Sequence, residues 1–169
     1  MSAQPLPETR RKLDEARFFW ARLDAEAKKA IRPEPEAFGY FLSAFLSAAR
    51  SVSFVAQKED AARYARVGRP WWDNLAEAER RLCDFMNDHR VAEVHRLGAP
   101  VSVTLRGVPA ESVPGVQTFG TFLSREPALI IVTESYFEHG TERIPVVEAG
   151  KRYLDVLSAF VGHMEEAHP

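Results

Sequence analysis

The chain has 169 residues, 46% apolar and 27% charged, with a formal net charge of -2 and one cysteine. That length can bury roughly two-thirds of its unfolded surface in one core, so a single domain over residues 1–169 needs no disulfide staple. The composition excludes an intramolecular disulfide framework and a uniformly basic nucleic-acid coat. Met1 to Arg11 holds prolines and charges and no apolar run, so a secretory signal is not expected and a cytoplasmic location is.

Residues Glu8 to Ile31 are rich in Ala, Leu, Glu, Lys and Arg, with Leu13, Ala16, Phe19 or Trp20, and Leu23 at helical spacing. They read as one amphipathic helix, broken by Pro33 and Pro35. A second helix is expected from Glu36 to about Lys58, where Phe38, Phe41, Leu42, Phe45, Leu46, Ala49, Val52 and Val55 cover a wide apolar arc. Its uncharged stretch, Ala37 to Ala49, falls short of the roughly 20 residues a bilayer span needs. It reads as a buried central helix, with no membrane association expected.

Residues 59 to 70 are polar, with Arg63, Arg66 and Arg69 at three-residue spacing. They form either a solvated charge run or a phosphate-facing strip. A third helix is expected from Trp72 to about His95, striped by Leu75, Leu82, Phe85 and Met86 and stopped by Gly98 and Pro100. The adjacent Trp71 and Trp72 are a packing plug or a base-stacking pair.

After Pro100 the period changes to two. Val101, Val103 and Leu105 alternate with Ser102, Thr104 and Arg106, as a half-buried strand does. Further strands are expected at Val116 to Leu123 and Ala128 to Phe137, with a turn at His139 to Thr141 leading back through Ile144 to Val147. Helical spacing returns from Glu148 to Ala167 through Tyr153, Leu154, Leu157, Phe160, Val161 and Met164. The predicted fold is mainly α, a four-helix-bundle-like arrangement over residues 8–98 and 148–167, with a small antiparallel β-rich insertion over 99–147.

The chain lacks a glycine-rich phosphate loop, a C-x-x-C pair, H-E-x-x-H and G-x-S-x-G, which removes the enzyme classes built on them. The run Asn87-Asp88-His89-Arg90-Val91-Ala92-Glu93-Val94-His95 instead gathers ionisable groups on the end of an amphipathic helix. Arg90 follows Met86 by four positions, at the edge of the apolar stripe, and His89 follows Phe85 by four, closer to it. A guanidinium on a packing margin calls for a partner such as a phosphate or a second subunit. An imidazole beside it suits RNA phosphodiester chemistry: His95 takes the 2'-hydroxyl proton or returns one to the leaving oxygen, and Arg90 grips the phosphate. Neither role requires a metal or another cofactor.

Arg90 to His95 has the R-x-x-x-x-H form of the HEPN superfamily motif (higher eukaryotes and prokaryotes nucleotide-binding), and the order of helices around it is similar to that family's. Where the family commonly places a polar residue after the arginine, this chain has Val91. The resemblance implies a helical bundle that forms a homodimer with the two motifs facing each other. It also implies a metal-independent endoribonuclease of toxin or defence type, or an RNA-binding module, with an antitoxin or another protein as a further partner. Arg90 and His95 are then the catalytic pair, with Asn87, Asp88, Arg63, Arg66 and Arg69 contacting substrate.

The plainer readings of these residues stand beside that one. His95 caps a helix C-terminus, Arg90 pairs with Glu93 or Asp88 at the surface, and the chain is a non-catalytic interaction module. His89 and Glu93, four apart, with His95 as a third ligand, are a weaker metal-binding alternative. The pairings of His139 with Glu138 and Glu142, and of His163 with Glu165, Glu166 and His168, read as solvated, and Cys83 as a small buried residue. Residues 1–98 carry 17 basic and 15 acidic side chains and residues 99–169 carry 5 and 9. The helical part is thus mildly basic, which permits RNA contact.

Overall fold

The structure, a computed structural model, describes residues 5–29, 36–95, 101–109, 129–139 and 142–167. It is mainly helical, with a small antiparallel sheet inserted before the last helix. Helix α1 spans Pro7–Ala27 and α2 spans Ala37–Glu59. A short α3 (Ala61–Arg63), a π-helical turn (Tyr64–Gly68) and α4 (Arg69–Asp73) follow. Helix α5 covers Glu77–His95, the strands are β1 (Val101–Pro109), β2 (Leu129–His139) and β3 (Glu142–Pro145), and α6 closes the fold at Val146–Glu166. The expected strand at Val116 to Leu123 lies outside the described residues, as does the expected turn at residues 140 and 141.

The bundle forms because its helices carry apolar residues at alternating steps of three and four. In α2 the buried set Phe38, Leu42, Phe45, Ala49, Val52 and Ala56 follows that rhythm, and the last four expose no surface. Helix α2 is long and apolar enough to cross a membrane by length and composition; in this fold it is the helix on which α1, α5 and α6 pack. Helix α1 contributes Leu13, Ala16 and Leu23, and α6 contributes Val146, Ala149, Tyr153, Leu157, Phe160 and Met164. Trp20, half-buried on α1, donates from Nε1 to the Val147 carbonyl at 3.0 Å, tying α1 to the first turn of α6.

The N-terminus of α1 has no side-chain cap of its own at Leu6. Its amides are satisfied from elsewhere in the fold. Glu59, on the last turn of α2, accepts from the Glu8 amide at 3.0 Å, the Thr9 amide at 2.8 Å and the Thr9 hydroxyl at 2.6 Å. Glu165, on the last turn of α6, accepts from the Leu6 amide at 3.2 Å and from Arg10 Nε at 2.6 Å. Carboxylates at a helix N-terminus complete its free N–H groups and oppose its positive end. Glu165, expected in solvent, is thus buried and paired.

Residues 61 to 70 are helical, separated from α2 by Asp60 alone. Asp60 caps α3 by accepting from the Arg63 amide at 2.9 Å. Pro70 has no N–H for the preceding turn, and in a regular helix its ring would collide with the carbonyl four residues back. The turn before it widens to meet this, the Arg69 amide reaching back five residues to the Tyr64 carbonyl. The expected helix from Trp72 to His95 is divided: α4 ends at Asp73, where the Asn74 amide and side chain both donate to the Pro70 carbonyl, at 3.0 and 2.8 Å. Helix α5 then begins three residues after Asn74.

The sheet has the order β1-β2-β3, with Val101 opposite Phe137 and Pro109 opposite Leu129. Among the described residues, one end docks on the bundle. Phe137 is fully buried, Val101 and Ile144 pack beside it, and Val103, Leu105 and Leu129 are more than half exposed. The opposite face is polar: Arg143 lies over the Tyr136 ring and donates to Ser102 and Thr104, while Arg106 pairs with Glu134.

Two glycines of α6 provide a paired test of packing. A Cβ at Gly150 would lie 2.9 Å from Trp20 Cδ1 and 3.2 Å from Phe45 Cε1, both on rings that cannot bend aside, whereas nothing lies within 4 Å of one at Gly162. Gly150→Ala should lose about 1–3 kcal/mol in urea denaturation, and Gly162→Ala should gain up to about 1 kcal/mol.

The Arg10 hydrogen bond holds the Glu165 carboxyl below its ordinary value of 4.5, with burial opposing and the Leu6 amide assisting. A depressed carboxylate stabilises the fold fully above that value and loses its contribution as pH falls through the folded-state pKa. Glu165→Gln should therefore cost about 1–3 kcal/mol near neutral pH. It should also flatten the acid limb of the stability profile below about pH 4.5, measured by denaturation across pH.

Candidate functional site

Helix α5 carries the whole R-x-x-x-x-H stretch, so the backbones of Arg90 and His95 lie on one continuous helix, five residues and about 140° apart at an ideal helical twist. The side chains of residues 91–95, His95 among them, lie outside those described. His89, Arg90 and Asn87 take three different environments.

His89 is 6% exposed, its ring 4.3 Å from Phe85 and 4.4 Å from Phe137. It is a core ring joining the bundle to the sheet, which disfavours the weaker metal alternative of His89 with Glu93. No cluster of three or more metal-ligating side chains occurs among the described residues. Arg90 is half-buried, and its Nε is shielded from solvent without a hydrogen-bond partner among the described residues. A guanidinium in that position retains unmet donor capacity. Asp88 is exposed.

Arg63, Arg66 and Arg69 do not form a strip. The π-helical turn lies between the first and last of them and adds a residue to the repeat, so the three side chains diverge. Arg63 is 4% exposed, pairs through Nε with Asp60 at 2.9 Å and donates from Nη1 to the Met164 carbonyl at 3.4 Å. It fastens α3 to the end of α6 and is removed from any substrate. Arg66 is exposed on a shallow surface with Trp71 and His163. Arg69 turns the other way, to a cavity that also takes in Asn87.

That cavity, of about 310 Å³, lies between α2, α4, α5 and α6. Arg50 and Ser53 of α2, Cys83 and Asn87 of α5, Trp72 and Tyr153 line it, with Arg69, Asp73 and Asp84 exposed around it. Arg50 stacks 4.5 Å over the Phe54 ring, and neither Arg50 nor Arg69 makes an ion pair among the described residues. Burial pushes the Cys83 thiol up to about 12, with the neighbouring Asp84 and Glu79 charges adding to it. Cys83 therefore stays a neutral thiol and is no nucleophile at neutral pH. Burial likewise raises Tyr64 and Tyr153, keeping both as hydroxyl donors.

Trp71 and Trp72 meet edge to face at 5.0 Å, and each packs on Phe160, as a packing plug does. Sequence reasoning passed over Arg50 and Tyr153. Arg50 is the lone charge between Glu36 and Lys58, a signal that an uncommitted guanidinium sits near the core. Compared with known proteins, the chain matches no family model, no curated protein and no solved structure.

The contrast among the arginines is measurable. Arg63→Ala should destabilise the fold by about 2–4 kcal/mol, because it strips a buried ion pair and a carbonyl of their partner. Arg66→Ala should change stability by less than about 0.5 kcal/mol in the same denaturation experiment.

Proposed function

We propose that this protein is a HEPN-like helical protein that binds RNA and cleaves it without a metal, at a site built from Arg90 and His95 and completed by a second copy of the chain. The observation that carries the reading is Arg90, whose Nε is buried without a hydrogen-bond partner among the described residues, on the same helix as His95. A phosphate arriving at Arg90 would supply acceptors that the described residues do not, and the guanidinium fork suits it. His95 then removes the 2'-hydroxyl proton, the 2'-oxygen attacks phosphorus as the bond to the 5'-oxygen breaks, and the His95 imidazolium returns the proton to that leaving oxygen, producing a 2',3'-cyclic phosphate and a 5'-hydroxyl. Asn87 and Asp88 are the secondary polar contacts beside the phosphate. In this reading the protein acts in the cytoplasm as a toxin or defence factor.

A second reading, a non-catalytic interaction module, draws on the sheet. Val103, Leu105 and Leu129 are 58%, 68% and 68% exposed, and exposed apolar side chains gathered on one face are what a partner surface uses.

Purified protein incubated with single-stranded RNA in EDTA should give cyclic-phosphate ends. His95→Ala should reduce the rate by about 10²–10⁴, and Arg90→Ala by about 10²–10³. Mixing the two inactive variants should restore part of the activity if each subunit contributes one residue to a shared site. RNA binding without cleavage by the unaltered protein would favour the module reading, and undiminished cleavage by His95→Ala would remove His95 from the mechanism.

A further inference from the structure

Of the residues placed at the Arg90 and His95 site, the cavity between α2, α4, α5 and α6 takes in Asn87 and not Arg90. It contains more hydrogen-bonding capacity than the fold uses. Tyr153 is 5% exposed and lines the cavity, and its hydroxyl makes no hydrogen bond among the described residues. Trp72 lines it too, and its Nε1 is buried without a partner among the described residues. Buried donors normally find a partner in the protein or in what it binds. Arg50 places a positive charge where it acts on Tyr64, Cys83 and Tyr153 together, with no carboxylate paired to it among the described residues.

The interior therefore offers donors and a positive charge, as an oxyanion requires. The exposed residues around it carry both signs, Arg69 beside Asp73 and Asp84. Asp73 and Asp84 are solvent-accessible acceptors, which suit hydroxyl donors. The volume, about 310 Å³, suits a small compact molecule.

We propose that this cavity binds a small phosphorylated polyol, its phosphate held by Arg50 and the Tyr153 hydroxyl and its hydroxyl groups turned to Asp73 and Asp84. The residues that hold it are not those of the RNA chemistry, so the proposal stands whether or not the protein cleaves RNA. A phosphate alone would leave the two carboxylates to water, and an uncharged polyol would leave Arg50 without an anion.

Titration calorimetry of the full chain with glucose 6-phosphate, inorganic phosphate and glucose tests this. Glucose 6-phosphate should bind, inorganic phosphate about tenfold or more weakly, and glucose not measurably. Arg50→Gln should weaken glucose 6-phosphate binding by about tenfold to hundredfold, and Tyr153→Phe by about threefold to tenfold. Arg66→Ala, on another surface, should bind as the unaltered protein does. Thermal melts identify any variant that fails to fold; should Arg50→Gln do so, Arg50→Lys, which keeps the charge and loses the fork, should weaken binding by about tenfold. Binding of glucose or inorganic phosphate as tight as that of glucose 6-phosphate would overturn the proposal. So would no binding of any of the three, or unchanged affinity in the folded Arg50 and Tyr153 variants.

Discussion

The free amides at the start of α1 are the constraint on which the rest of the bundle is arranged. A helix that begins at a leucine and a proline has no cap of its own, and leaving those N–H groups buried and unpaired would cost about 1–3 kcal/mol each. Glu59 and Glu165 meet them from the final turns of α2 and α6. Three helix termini are thereby drawn to one end of the molecule. The same end holds Asp60, Arg63 and the Met164 carbonyl, so the chain leaving α2 is fixed before it enters the widened turn. Where that turn delivers Arg69 and Trp72 follows from this, and with it the shape of the cavity.

The sheet is held quite differently. Phe137 and its neighbours anchor one end, and a ladder of Arg143, Tyr136, Arg106 and Glu134 organises one face without burying it. Exposed ion pairs of this kind contribute little stability individually. The ladder's effect is on register, because a slip of one residue would move Arg143 from Ser102 and Thr104 to the apolar side. His89, between Phe85 and Phe137, makes the orientation of the sheet depend on the helix that carries Arg90.

The long helices, the alternating β1 strand and the place of the sheet before α6 were legible because periodic burial is written in residue spacing. Phe38, Leu42, Phe45 and Ala49 announce α2, and Val101, Val103 and Leu105 announce β1. The position of His89 near the apolar stripe was legible for the same reason. The helical character of residues 61–70 was not: it rests on the Asp60 cap and on a widened turn that lets Pro70 into a helical path. Nothing in spacing separates Arg63, buried on Asp60, from Arg66, in solvent. Glu59 and Glu165 were illegible because their partners lie 50 and 159 residues away in sequence. The cavity draws residues from four helices, and its central group, Arg50, shows in the sequence only as an isolated charge.

The pairing of Leu6 with Glu165 also bears on how the protein is made. A contact spanning 159 positions means the first helix waits, in chain order, for nearly all of the others. The α1–α2 hairpin can assemble from neighbouring segments while the apolar arc of α2 that receives α6 stays bare, and it stays so until residue 165 has left the ribosome. A nascent chain with such a surface depends on chaperones or on speed to avoid self-association. Slow synthesis through the inserted sheet would lengthen that exposure, whereas changes that delay only the docking of the sheet would leave the closure of the bundle to proceed.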